Sequence, residues 1–302
     1  MNSPLLQATS LSMPSPVDIL QRAPSVQRFW SDNNQLFKGA WKAWDETNAS
    51  LPFTLDASIL SADLRNAVAQ AWIDPNTESD VSDLWEKVSD GVYKAQFFDP
   101  HKLSVLRDYL RAAFDSGIPT RPPYGIALNR YGAMLDERSE GALGAPKFQA
   151  FYTDILNRYM RPIARLLFPE IVGYDTQTFG FSIHYEAGGD TSLQPHTDAS
   201  AVTMNINMNT VDEEFSGSEV DFFDRASGKV TQVKFDPGVA LIHRGNVPHT
   251  AHPITEGSRS NMVLWLYGDR MQIPTHVTHV EQLTPEERWR IPEVNKDGFA
   301  PF

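Results

Sequence analysis

The spacing of apolar residues changes partway along the chain, and the change separates two structural regimes. Up to Gly173 the apolar positions recur mostly at helical intervals. Phe37, Trp41 and Trp44 predict a helix ending before Asn48. Ser61 is a good N-cap for a second helix, running to about Trp72 and stopped by Pro75. Residues 80–88 are a candidate third helix. Residues 92–98, Val-Tyr-Lys-Ala-Gln-Phe-Phe, read instead as a strand. Asp99-Pro100 then opens a helix over 101–116, with Leu103, Leu106, Leu110 and Phe114 on one face and Gly117 past its end. Two short strands, 124–128 and 131–135, and a glycine-bearing loop, 139–145, lead to a long amphipathic helix over 146–168. Its apolar stripe is Phe148, Phe151, Ile155, Tyr159, Ile163 and Leu167, and Pro169 stops it. The tryptophans of this half read as core packing, with substrate stacking as the alternative.

From Thr176 to Gly268 no helical period appears, and short β-rich runs alternate with turn signals. The runs are 178–185, 201–208, 218–223, 229–235, 240–243, 250–254 and 261–267, with a turn from Asp224 to Gly228. So many short strands in one stretch predict an antiparallel barrel or sandwich. Residues 1–16, rich in Ser and Pro, are expected to form a flexible tail, and 17–91 a helical region. The C-terminal extension, 271–302, carries one more helix start, because Thr284-Pro285-Glu286-Glu287 is a capping box.

Composition narrows the function classes. The chain has 302 residues, 41% of them hydrophobic and 21% charged, as in an ordinary globular protein. A net charge of −12 argues against nucleic acid as a partner, since that affinity comes from Lys and Arg against phosphate. No apolar run reaches the roughly 18 residues of a membrane helix. The first residues lack a basic segment followed by an apolar one, so the expected location is cytoplasmic. There are 0 cysteines, so a metal site must use imidazole and carboxylate. Nothing in the pattern specifies an oligomeric state.

The candidate chemistry lies in the β-rich half. Gln194-Pro195-His196-Thr197-Asp198 places a histidine and a carboxylate two residues apart, on the same side of an extended segment. His249 follows about fifty residues on, in His249-Thr250-Ala251-His252-Pro253, and is expected on a neighbouring strand. Two imidazoles and one carboxylate covering one face of an octahedron, with three positions open, suit Fe(II). Arg259 comes ten residues after His249, across an expected turn at Glu256-Gly257. Its planar fork suits the far carboxylate of 2-oxoglutarate, whose other end chelates such an iron. If Ser258 begins a strand, Arg259, Asn261, Val263 and Trp265 share one face, expected to look into the barrel.

Further stretches carry a family resemblance: Phe181-Ser182-Ile183-His184-Tyr185, Leu193 to Ser200, Val202-Thr203-Met204-Asn205-Ile206, Leu241-Ile242-His243-Arg244-Gly245 through His249, and Gly257 to Trp265. Arg161-Pro162-Ile163-Ala164-Arg165-Leu166-Leu167-Phe168-Pro169-Glu170 belongs with them. Over about residues 120–270 the chain resembles the Fe(II)/2-oxoglutarate-dependent dioxygenases of the prolyl/lysyl hydroxylase type. The likeness is nearest to procollagen lysyl hydroxylase catalytic domains and the 2-oxoglutarate and iron-dependent oxygenase domain-containing proteins. The resemblance implies a mainly β fold with α: a double-stranded β-helix (jelly roll, cupin-like) core flanked by N-terminal helices. The dioxygenase domain would span 92–270, with its β-core at about 176–268. It implies hydroxylation of an unactivated C–H bond with release of succinate and CO₂. The cofactors implied are Fe(II), 2-oxoglutarate and O₂, with ascorbate as a further candidate.

Carried onto this chain, the resemblance makes His196, Asp198 and His249 the catalytic iron ligands, with Arg259 for the distal carboxylate. Tyr185 matches a tyrosine near 2-oxoglutarate, and Asn205 an asparagine of the Thr-x-Asn strand that faces the same pocket. Asn261 stands where many prolyl hydroxylases have Ser or Thr. A carboxylate at Asp198, rather than Ala or Gly, argues against a halogenase. The implied substrate is a small metabolite or amino acid, or a peptidyl lysyl or prolyl side chain. The alternative is a non-catalytic jelly roll that binds metal or 2-oxoglutarate as a sensor. Glu186 and Asp190 are expected in a solvated loop, with substrate contact as the alternative. His184, His243 and His252 are expected to be structural. Arg121, Asn129 and Arg130 are expected at the surface, with the mouth of the site as the alternative.

Overall fold

The computed structural model describes residues 3–48, 54–123, 132–189, 192–274 and 282–291. The N-terminal half is helical. It begins with α1 (Pro4–Thr9), α2 (Pro16–Leu20) and α3 (Pro24–Thr47). Where the sequence suggests a flexible tail, Ser3 and Ser15 accept hydrogen bonds from the first turns of α1 and α2. Ala8 of α1 is buried in the core, so part of that expected tail is packed. Then come α4 (Ala62–Ile73), capped by Ser61, α5 (Ser79–Ser82) and α6 (Leu103–Asp115). Trp30, Trp41 and Trp44 of α3 are buried core residues. Leu103, Leu106 and Leu110 of α6 are buried as well, but Phe114 is 40% exposed and leaves the stripe.

The expected helix over 80–88 stops at Ser82. Asp90-Gly91, with Gly91 at φ 70, instead folds β1 (Glu86–Ser89) back on β2 (Val92–Gln96). Asp-Gly is a favoured hairpin turn, and its pull on the flanking residues exceeds their weak helical period. The long helix over 146–168 forms as α7 (Pro146–Asp154), a π-helical turn (Ile155–Met160) and α8 (Arg161–Leu167). Pro162 has no N–H to offer the carbonyl of Arg158. The Trp72 indole donates to that carbonyl instead, at 2.9 Å. The capping box at Thr284 starts the short α9 (Pro285–Arg288). The expected strand at 124–128 and the start of the one at 131–135 lie outside the described residues. The rest of the latter forms only isolated bridges, from Met134 to Ala142 and to Phe181.

The β-rich half adds β3 (Gln177–Glu186), β4 (Leu193–His196), β5 (Val202–Asn207), β6 (Phe215–Gly217), β7 (Val220–Phe223), β8 (Val230–Val233), β9 (Val239–Arg244), β10 (His249–Ala251) and β11 (Ile254–Tyr267). A major sheet runs β1-β2-β9-β5-β11-β3, with β6 on the near end of β11, and a minor sheet runs β4-β10-β7-β8. The pairings within both are antiparallel. The central strands β5, β9 and β11 are buried on both faces, so alternation points their residues into two cores. Met204, Ile206, Ile242, Met262 and Leu264 join the helices in one core. Phe179, Phe181, Tyr185, Leu241, Val263 and Trp265 meet Val220, Phe222 and Ala251 of the minor sheet in a second. The core is thus a double-stranded β-helix with helices on the outer face of its major sheet.

Two glycines shape the region around the site. The expected turn at Glu256-Gly257 is a bend within continuous β11. Gly257, at φ 67, carries the strand from β6 to its partners β3 and β5, and a Cβ there would lie 2.3 Å from the carbonyl of Glu214. Gly245 lies against the segment after β4, accepting from the Asp198 N–H at 2.8 Å and donating to Ala201 at 3.0 Å. A Cβ there would sit 1.9 Å from the Ser200 carbonyl oxygen. Gly245→Ala is therefore expected to destabilise the fold by about 3 kcal/mol and lower Tm by several degrees. Thermal unfolding followed by circular dichroism checks this, and an unchanged Tm contradicts the contact.

Candidate metal and co-substrate site

The site is built where the minor sheet faces the major one. His196 ends β4, and His249 begins β10 as its cross-strand partner. Their rings are 4.2 Å apart, centroid to centroid. Asp198 lies just beyond β4, tied through its N–H to Gly245 after β9. One ligand atom from each of the three residues falls within 4.8 Å of the others. The Nε2 atoms of His196 and His249 lie 3.6 and 4.0 Å from the Asp198 carboxylate.

The histidines are oriented by backbone. His196 Nδ1 is 2.7 Å from the Gln194 carbonyl and His249 Nδ1 is 3.0 Å from that of Val247. A carbonyl only accepts, so each Nδ1 carries the proton and each Nε2 presents a lone pair to the cluster. Burial, with His243 beside it, pushes the pKa of His249 down to about 4. Its imidazole is therefore neutral and able to ligate at ordinary pH.

One residue that the sequence reading did not place in the site holds the carboxylate, and a second supports it. Thr203, 1% exposed on β5, donates from Oγ1 to Asp198 Oδ2 at 2.6 Å, and Ser200 Oγ lies 2.9 Å from the same hydroxyl. His243, expected to be structural, makes a backbone contact from Nδ1 to the Arg244 carbonyl at 3.0 Å. Its Nε2 nevertheless faces the cluster, 3.8 Å from Asp198 Oδ2, and its ring lies 4.7 Å from that of His249. The available signal was alternation: Thr203, Asn205 and Asn207 are polar positions interleaved with Val202, Met204 and Ile206.

These groups open into a cavity of about 350 Å³ between the sheets. Arg259 lies in its wall with no exposed surface. One Nη donates to the Ser218 carbonyl, and the guanidinium packs 4.6 Å from the Tyr185 ring and 5.1 Å from that of Phe235. Its Nε and Nη2 have no hydrogen-bond partner among the described residues. A buried cation left this open favours an anion. Burial raises the pKa of Tyr185, which also lines the cavity and stays a neutral donor. Asn205 lines it too, with a buried Oδ1 that has no partner among the described residues. Asn261 is fully buried and both its amide atoms lack a partner among the described residues, but it does not line this cavity.

The remaining candidates fall elsewhere. His252 pairs with Asp221 at 2.7 Å, and His184 Nδ1 meets Ser260 Oγ at 2.8 Å. Glu186 ends β3 exposed and does not line the cavity. Arg121, expected at the surface or at the mouth, is buried and outside the lining. Asp190, Asn129 and Arg130 lie outside the described residues.

The donor set is two neutral imidazoles and a carboxylate on one side, with an incompletely bonded guanidinium in the same cavity. That combination fits a divalent ion of the iron type together with a small dicarboxylate. No family model matches the chain. Curated proteins do. The 2-oxoglutarate and iron-dependent oxygenase domain-containing protein ICU11 of Arabidopsis thaliana is 25% identical over 70% of this chain and 53% of its own length. The 2-oxoglutarate and iron-dependent oxygenase domain-containing protein 2 of Xenopus tropicalis is 28% identical over 71% of this chain and 60% of its own. Procollagen-lysine,2-oxoglutarate 5-dioxygenase 1 of Rattus norvegicus is 32% identical over 37% of this chain and 15% of its own. The chain therefore spans about half the length of the first relatives it matches. The resemblance read in the sequence is borne out. No described helix is long and apolar enough to cross a membrane.

Thr203→Val keeps the shape of the side chain and removes the hydroxyl that holds Asp198. It is expected to weaken divalent metal binding by about 10- to 100-fold, with Thr203→Ser close to wild type. Calorimetric titration with Co(II) checks this, and equal affinity in the Val variant contradicts the role.

Proposed function

We propose that this chain is an Fe(II)- and 2-oxoglutarate-dependent dioxygenase that hydroxylates an unactivated C–H bond. The observation that carries the reading is one cavity lined both by the His196, Asp198 and His249 cluster and by a fully buried Arg259 with unused donors. Bound iron supplies dioxygen activation coupled to oxidative decarboxylation of 2-oxoglutarate, which yields succinate and CO₂. The protein's own residues bind, orient and exclude water. His196, Asp198 and His249 would hold the metal, which would activate O₂ beside the co-substrate. Thr203 and the Gly245 backbone fix the carboxylate so that it need not reorganise during turnover.

Arg259 receives the distal carboxylate of 2-oxoglutarate through Nε and Nη2, with Tyr185 stacked against the guanidinium. Asn205 is a further polar contact in the same cavity. The apolar walls keep water from the reacting atoms. Ascorbate would act as a reductant that restores Fe(II). The substrate is a small molecule or a peptide side chain, and the chain works in the cytoplasm without nucleic acid.

His196→Ala and Asp198→Ala are each expected to abolish succinate formation, both with substrate and uncoupled from it. Arg259→Leu is expected to raise the KM for 2-oxoglutarate about 100-fold, from the loss of charge-assisted hydrogen bonds. Succinate assays with Fe(II) check all three. Retained turnover in both ligand variants contradicts the assignment. Binding of metal and 2-oxoglutarate without any turnover by the wild type supports a sensor instead.

A further inference from the structure

Three histidines, not two, turn a ring nitrogen toward Asp198. The Nε2 atoms of His196, His243 and His249 lie 3.6, 3.8 and 4.0 Å from its carboxylate. All three rings are set by the same device, a backbone carbonyl at 2.7, 3.0 and 3.0 Å from Nδ1. His243 therefore also carries its proton on Nδ1 and presents a lone pair from Nε2. Yet it stands apart from the cluster in which one atom from each of His196, Asp198 and His249 falls within 4.8 Å of the others. Its geometry is that of a ligand's neighbour rather than of a further ligand.

Register and packing hold the ring in place. His243 on β9 is the cross-strand partner of Thr203 on β5. Phe222 of β7 meets the His243 ring edge-on at 5.3 Å and stacks on that of His249 at 5.6 Å. Two paired residues thus address one oxygen. Thr203 donates to Asp198 Oδ2 at 2.6 Å, and His243 Nε2 lies 3.8 Å from the same atom. That distance is too long for a direct hydrogen bond, and a lone pair facing a carboxylate oxygen is unfavourable. A water that donates one proton to each atom, at about 2.8 Å from both, fits the gap and removes the conflict. Asp198 and His243 both line the cavity, so solvent can reach this place. A histidine serving only as packing would gain nothing from this arrangement. At a position 2% exposed, an apolar ring would fill the same space without a second nitrogen to satisfy.

We propose that one water is held between His243 Nε2 and Asp198 Oδ2, and that His243 is a positioning residue for the metal site, acting on the carboxylate through that water. With the Thr203 hydroxyl and the water both on Oδ2, the carboxylate cannot rotate freely, and Oδ1 stays turned toward His196 and the metal. The inference rests on the metal reading above and deepens it.

The test uses metal binding, so that it does not depend on turnover, and three replacements that separate an acceptor from packing. Gln carries its amide where His carries Nε2, Asn carries it where His carries Nδ1, and Phe keeps a ring without an acceptor. Calorimetric titration of the full chain with Co(II) is expected to show about tenfold weaker binding for His243→Phe and His243→Asn, and binding within about threefold of wild type for His243→Gln. Circular dichroism confirms which variants are folded. A Gln variant as weak as the Phe variant, or all three equal to wild type, overturns the proposal. A crystal structure of the Co(II)-loaded wild type needs no variant to fold. Solvent density within hydrogen-bond distance of both His243 Nε2 and Asp198 Oδ2 is expected, and a gap without solvent, or Nε2 bound to the metal, overturns the proposal. His196→Ala in the same titration tests the metal reading separately, and is expected to lose Co(II) binding. If it binds as wild type does, the metal reading fails. If it loses binding while the His243 series stays flat, the metal reading stands and the role of His243 falls.

Discussion

The contact on which the site depends is the hydrogen bond from Thr203 to Asp198. Asp198 follows β4 of the minor sheet, whereas Thr203 belongs to β5 and Gly245 follows β9, both of the major sheet. Hydroxyl and backbone together hold the carboxylate across the gap between sheets. With the carboxylate fixed, the pairing of β4 with β10 is enough to bring in both imidazoles. The candidate metal cluster is therefore assembled by sheet geometry, and its histidines need only backbone carbonyls to set their tautomers.

The same geometry accounts for the buried arginine. β11 is buried on both faces through most of its length, so an inward arginine must find its partners inside the protein. The chain supplies one carbonyl and two aromatic faces but leaves donors unused. A buried guanidinium with no ion pair to a carboxylate among the described residues is costly for stability alone and reasonable for a site that receives an anion. Cavity, arginine and ligand cluster thus form one electrostatic unit.

Much of this was legible in the sequence, for identifiable reasons. The strands between 176 and 268 showed themselves because turns punctuate them at short intervals, and seven of the expected runs correspond to strands or their flanks. His196 and Asp198 stood out by spacing, and Arg259 by its position on a strand that Ser258 could begin. What escaped notice depended on contacts between distant segments. Thr203 looks like any strand threonine until β5 is known to lie beside Asp198. His243 looks structural until β9 and β10 are seen to place it against His249. The π-helical turn follows from Pro162 within a helix and from Trp72, a residue of another helix that answers its missing N–H. The Asp90-Gly91 hairpin is legible in the dipeptide itself, whose turn preference exceeds the weak helical period around it. Glu256-Gly257 suggested a turn because glycine at positive φ serves bends and turns alike.

The central claim is that metal and 2-oxoglutarate occupy one cavity and depend on each other. Anaerobic calorimetric titration of 2-oxoglutarate, with and without Fe(II), tests it most directly. The account predicts one equivalent of tight binding in the presence of Fe(II), and a large loss of affinity when Fe(II) is omitted or Asp198 is replaced by Ala. Binding of equal strength without the metal, or unchanged by Asp198→Ala, would contradict it.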